Sequence, residues 1–203
     1  MEEQPLTVLP RARTTYPVTV EADPQAEYSQ FLPLAKWLLL IPHYVVLFLL
    51  GVAAGLVTFI AFFATIITGR YPRWMWEFMV GVQRWGLRVV AYLLLMTDRY
   101  PAFSLEPAPG DAIRLNAVYP EQVERWRPLV TWLLVVPYAL VAALLFAVTQ
   151  ICAIIAFFTI LFTRRIPADI QALMREGLRW QTRANLYLYW LSTEYPPFRW
   201  EEE

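Results

Sequence analysis

Between Lys36 and Arg70 the chain reads WLLLIPHYVVLFLLGVAAGLVTFIAFFATIITG, with no formal charge apart from any titration of His43. From Pro128 to Thr163 it reads PLVTWLLVVPYALVAALLFAVTQICAIIAFFTILFT, with no charge at all. Each run exceeds the ~20 apolar residues needed to cross a bilayer core. Both therefore read as membrane segments. A mean hydropathy of +0.41 and 16% aromatic residues across 203 positions agree with that class. Seventeen basic and seventeen acidic residues cancel, so no bulk field draws the chain toward nucleic acid. The opening MEEQPLTVLPRART is acidic and lacks the apolar core of a secretory leader, so no cleaved signal peptide is expected. A multi-pass protein of the cell (inner/plasma) membrane is the expectation.

The two runs are related. Laying residues 31–106 over 126–201 at a constant offset of 95 gives 26 identities in 76 positions. The informative matches are the rarer types: Trp37 with Trp132, Pro42 with Pro137, Arg84 with Arg179, Trp85 with Trp180, Arg88 with Arg183, and Phe103 with Phe198. Upstream, VTVEA (18–22) matches IRLNA (113–117) at the same offset, and both alternate with period two like half-buried strands. Each copy closes on an aromatic stretch, YPAFSLE or YPPFRWE, where proline holds its predecessor out of helix. These observations predict a mainly α, integral membrane fold. Its unit is a short strand, a long transmembrane helix kinked at Pro42 or Pro137, an amphipathic arginine-bearing helix and a short extended strand. A small extramembrane β element is made from these strands and closing stretches. The expected divisions are an N-terminal tail (1–16), a first membrane repeat (17–106), a linker (107–111) and a second repeat (112–203).

After each run comes a basic turn and then some 25 residues of helical character. Glu77, Arg84 and Arg88 lie at i, i+7 and i+11, one face of a helix. Arg175, Arg179 and Arg183 form an i, i+4, i+8 ladder, and Glu176 stands three residues before Arg179, within pairing reach. One arginine at the centre of a lipid-facing helix is disfavoured by ~2.5 to 3.5 kcal/mol, so this face must meet protein, water or headgroups. Three arrangements satisfy that. The arginine helices complete spanning hairpins and pair with Glu77 and Glu176 inside a bundle, or they lie on the surface beside single spans, or beside re-entrant hairpins. An odd number of crossings per copy would put the turns GRYPR and TRRIP in opposite compartments, so the positive-inside tendency favours an even number.

The stretches WLLLIPHYVVLFLLG, ITGRYPRW, VGVQRWGLRVVAYLLLMTD and YPAFSL resemble the bacterial membrane family catalogued as domain of unknown function 4389, present as two tandem copies. The second copy departs from the pattern by lacking the histidine after Pro137 and by reading RRIPA in place of GRYPR. The resemblance implies a membrane location and a bacterial source; it brings no catalytic residue and says nothing about activity.

The chemistry is sparse. His43 is the only histidine, a candidate for an interfacial or proton-linked role, and a metal site needs three or four ligands. Neither a metal nor a cofactor is expected. Cys152 is the only cysteine and sits in an apolar run, which reads as a buried thiol. Phosphate loops and nucleophile elbows are missing. The expected function is a non-enzymatic accessory or scaffold subunit. It would bind membrane lipids, anionic ones among them, or another membrane protein or copy of itself, through the arginine helices. The alternative is a small oligomeric transporter or channel lined by Glu77, Arg84, Arg88, Glu176, Arg179 and Arg183.

Overall fold

The computed structural model describes residues 16–108 and 110–200, so most of the tail assigned to 1–16 and residue 109 of the linker lie outside the described residues. The chain is mainly helical, in two segments of matching element order. The first comprises β1 (Val18–Ala22), α1 (Leu32–Leu39), α2 (Ile41–Thr68) and α3 (Arg73–Leu93). The second comprises β2 (Ile113–Ala117), α4 (Arg127–Leu134), α5 (Val136–Thr163) and α6 (Ala168–Leu188).

The proline in each apolar run acts at a helix start. Pro42 and Pro137 occupy the first turn of α2 and α5, where a missing N–H costs nothing. Leu40 and Val135 each end one helix and begin the next. The expected kink is thus a junction between a short lead-in helix and a long one. The expected closing strands are absent among the described residues: after Tyr100 and Tyr195 the chain is irregular. In the first copy its carbonyls face arginines rather than a neighbouring strand.

β1 and β2 pair antiparallel, with Val20 opposite Leu115. Those positions differ by 95, so the register is centred on a pair of repeat equivalents. Other contacts obey the same exchange. The Tyr28 N–H donates to the Arg164 carbonyl at 2.9 Å, and the N–H of its counterpart Val123 donates to the carbonyl of Gly69, the counterpart of Arg164, also at 2.9 Å. Near the start of α3, the Trp76 indole N–H donates to the carbonyl of Leu191, just beyond α6. At the other end Leu95 packs with Ile166, just before α6. Hence α3 and α6 run antiparallel, and a pseudo-twofold axis passes through the sheet and between them.

The sheet has two unlike faces. Val18, Val20, Ile113 and Leu115 are buried against the helix pair, whereas Glu21 and Asn116 point outward and are exposed. On the outer side Arg114 bridges Asp23 at 2.8 Å and Glu21 at 3.3 Å. Away from the sheet, α2 packs on α3 and α5 on α6, and the two long helices do not pack against each other. Both are long and apolar enough to cross a membrane. Only 11% and 22% of their most apolar windows are buried, whereas a core helix of a soluble protein is mostly covered.

Two local features set the stability of this frame. Gly69 ends α2 in the left-handed region at φ 70°, and its counterpart Arg164 ends α5 there at φ 58°. A side chain in that region costs roughly 1–2 kcal/mol. Gly177 lets α5 approach α6 closely: a Cβ there would sit 1.9 Å from Thr149 Oγ1 and 2.8 Å from the Leu145 carbonyl oxygen. Arg164→Gly is expected to raise stability by about 1 kcal/mol, read as a higher midpoint of thermal unfolding in detergent. Gly177→Ala is expected to lower it by about 1–3 kcal/mol through overpacking. Adding Thr149→Ala should recover only part, because the carbonyl remains in place.

Candidate functional site

The arginine faces of α3 and α6 turn toward the sheet and the segment that wraps over α3. Arg84 Nε–H donates to the carbonyl of Leu115, at the middle of β2, at 3.2 Å, and Nη1–H donates to that of Leu105 at 2.8 Å. Arg179, its repeat counterpart, reaches the carbonyl of Val20, at the middle of β1, at 3.3 Å and pairs with Glu176. Arg88, 4% exposed, donates to the carbonyl of Ser104 and bridges Asp111 at 3.4 Å. Arg183 is fully buried, with its guanidinium 5.1 Å from the Tyr16 ring centroid. Burial pulls the Arg84 guanidinium below its usual pKa, and Arg88 beside it adds to the shift. Burial pushes the Tyr16 phenol up to about 12.

The other sequence candidates fall elsewhere. Glu77 is exposed and pairs with Arg73 one turn back, at 3.2 Å, so the helix face that unites it with Arg84 and Arg88 is not one site. Arg175 borders a small cleft with Asp23, Met96 and Gln171. His43 is fully buried in an aromatic box. Its ring stacks on Phe103 at 3.9 Å, and Trp85 Nε1–H donates to its Nδ1 at 3.0 Å. An Nδ1 that accepts a hydrogen bond carries no proton, so the tautomer is Nε2–H. The second copy builds the same box from Tyr138, stacked on Trp180 at 4.8 Å with Phe198 at its edge. The box is thus common to both copies, while the imidazole belongs to one.

One buried charge pair escaped the sequence reading. Lys36, 1% exposed, donates from Nζ to the Thr97 carbonyl at 2.7 Å, bridges Asp98 at 2.8 Å and lies 4.6 Å above the Tyr92 ring. At the matching place in the second copy, Thr131 bonds within its own helix and Arg127 supplies the cation beside Tyr187. A lone lysine inside apolar sequence was the available signal, but its partner lies 62 residues away.

The helix faces opposite the arginines line a cavity of about 410 Å3 between α3, α5 and α6. Gln83, Gly86, Leu87 and Val90 contribute from α3, and Leu178, Gln181, Thr182 and Asn185, their repeat counterparts in order, contribute from α6. These α3 and α6 residues exchange under the 95-residue offset, but α5 lines the cavity without its counterpart α2, so the cavity belongs to one side of the helix pair. On α5, Phe146 and Gln150 belong to its wall. No group of three or more potential metal ligands occurs among the described residues.

The family model described as Domain of unknown function (DUF4389) matches residues 34–104 and 125–199. No curated protein and no solved structure matches the chain.

The arginine contacts generate a test. Arg84→Met or Arg179→Met strands buried carbonyls, at a cost of about 1–3 kcal/mol each. The expected signature is local: faster amide exchange in residues 18–22 and 113–117 while the middle of α5 stays protected. Arg84→Lys should rescue little, since one ammonium cannot span both the Leu105 and Leu115 carbonyls as the planar fork does.

Proposed function

The chain belongs to the DUF4389 family as two tandem copies of its domain, and from that premise we propose that it is a non-enzymatic membrane scaffold seated in one leaflet of the bilayer. Its sheet faces water, and α2 and α5 lie in the acyl layer. The observation that carries this reading is polarity along the pseudo-twofold axis. The charged outer face of β1 and β2 stands at one end, with Arg114, Glu21 and Asp23. Beyond α3 and α6 on the other side lie two almost uncovered apolar helices, exposing residues such as Phe48, Leu56, Leu144 and Ile154.

Helix direction favours lying along the membrane over crossing it. The sheet sits over the middles of α3 and α6, where Arg84 and Arg179 meet the strand centres. Were the antiparallel α3 and α6 to run along the bilayer normal, that sheet and its exposed ion pairs would be immersed in hydrocarbon. With the axis along the normal, the charges meet water and the acyl layer is met by helices, whose interior backbone groups are bonded within them. The arginines serve internal contacts, so the surface offered to lipids or to another membrane protein is the apolar flank of α2 and α5.

Single cysteines in a Cys152→Ser background test the arrangement in proteoliposomes. Substituted positions 21, 70, 116 and 165 are expected to react with a membrane-impermeant maleimide from one and the same side, and positions 48 and 144 to be protected. Labelling of positions 70 and 165 from opposite sides would mean that the helices cross, and would overturn the proposal.

A further inference from the structure

The cavity between α3, α5 and α6 is where the two copies diverge in a chemically consistent way. In the first copy the positions are Gly55, Gly86 and Val90, none with a polar side-chain atom. In the second they are Gln150, Gln181 and Asn185, and all three line the cavity, joined by Gln83 from α3. Gln150 occupies the middle of α5, an apolar helix of 28 residues, and is exposed. Gln181 Nε2–H donates to Asn185 Oδ1 at 3.3 Å, while the Gln83 and Gln150 amides bond to no other side chain or backbone group among the described residues. Four primary amides thus converge in a space that the scaffold reading places within the lipid.

Amides left without partners in hydrocarbon are costly, and each supplies two donors and a carbonyl acceptor. The remaining wall is apolar, with Leu87 and Phe146 among its members, apart from Thr182, whose hydroxyl already donates to the Leu178 carbonyl at 2.7 Å. None of its lining residues carries a formal charge. A phosphate headgroup would find no cation there, and the nearby arginines point the opposite way, into the sheet. A volume of about 410 Å3 lies within the usual range for a small-molecule site, which combines an apolar lining with a few convergent polar groups. A concave amide cluster also suits a compact headgroup better than the convex flank of another helix.

We infer that this cavity binds the head of an uncharged amphiphile, one bearing carbonyl or hydroxyl oxygens on an alkyl or prenyl chain. The amides of Gln83, Gln150, Gln181 and Asn185 hold those oxygens, and the chain leaves along the exposed side of α5. Two sources share this chemistry: a neutral acylglycerol and a prenylquinone. The inference rests on the scaffold reading, and incorporation of the protein into nanodiscs reports on that reading separately.

The experiment uses the full chain in phosphatidylcholine nanodiscs with three photoactivatable diazirine probes at equal concentration: a diacylglycerol, a prenylquinone and a phosphatidylglycerol. One neutral probe is expected to label residues 83–90 and 143–150 at least fivefold more than the anionic probe, and which one does so identifies the source. Gln181→Leu with Asn185→Leu should cut that labelling at least tenfold while the thermal midpoint holds. Gln150→Leu, a change at an exposed position, should cut it severalfold on its own. Equal labelling by the anionic probe, labelling that survives the leucine variants, or no labelling of these segments by either neutral probe overturns the inference. So do cross-links joining α5 of one copy to α5 of another, which would mean that a second chain fills the cavity. Failure to enter nanodiscs at all would instead refute the scaffold reading.

Discussion

A two-stranded sheet is not stable alone in water, and here it is held by guanidinium groups rising from the helices beneath. Arg84 and Arg179 reach the central residues of β2 and β1 from α3 and α6. Buried carbonyls in such a cap need donors, and an irregular segment such as 100–106 offers no ladder to supply them. Arginine suits the task because its planar fork can serve two carbonyls at once, as Arg84 does for Leu105 and Leu115. The same contacts also join the copies, since α3 of the first copy binds the strand of the second and α6 of the second binds the strand of the first. The strands cannot settle without both helices, nor can the arginines be buried without the strands.

Exchange of this kind explains why the axis governs so much of the molecule. The strand register, the reciprocal bonds from Tyr28 and Val123, and the antiparallel run of α3 and α6 are consequences of one symmetric docking. Divergence then appears where the symmetric scheme does not constrain the chain. The first copy secures the end of α3 with Lys36 and Asp98, whereas the second places Arg127 beside Tyr187. One aromatic box holds an imidazole and the other a phenol. Around Gly177 the seam between α5 and α6 is closed to the point that a methyl group has no room, while α2 rests on α3 through fewer buried residues.

The apolar runs, the duplication and the two strands were legible because each is written in local pattern or in self-similarity. Arginine spacing revealed a common face, and Glu176 with Arg179 was readable as a pair three residues apart. The target of that face was not legible. Its acceptors are backbone carbonyls, which carry no residue type, and in the cases of Ser104 and Leu105 they lie in YPAFSLE, a stretch whose pattern reads as a closing strand. Glu77 misled for the complementary reason: helical periodicity put it with Arg84, yet Arg73 one turn away was the nearer cation. The cavity amides were visible one by one in a helix and an apolar run. Only the exchange of α3 with α6 about the axis brings Gln83 to Gln181.

Symmetry also recasts the problem posed by the two basic turns. Parity of crossing was the natural way to keep GRYPR and TRRIP on one side of a membrane, because a chain that crosses must alternate. Antiparallel α3 and α6 put the turns at opposite ends of the helix pair, as the bonds from Val123 to Gly69 and from Tyr28 to Arg164 require. For helices along the bilayer normal, that separation would send one basic turn across. For helices lying in the membrane plane the ends are at equal depth, and both turns meet the same aqueous face with no crossing. Residues 41–68 and 136–163 are long enough to span, but length permits a span without demanding one. Under the scaffold reading proposed above, orientation is set by where the charged face of the sheet finds water.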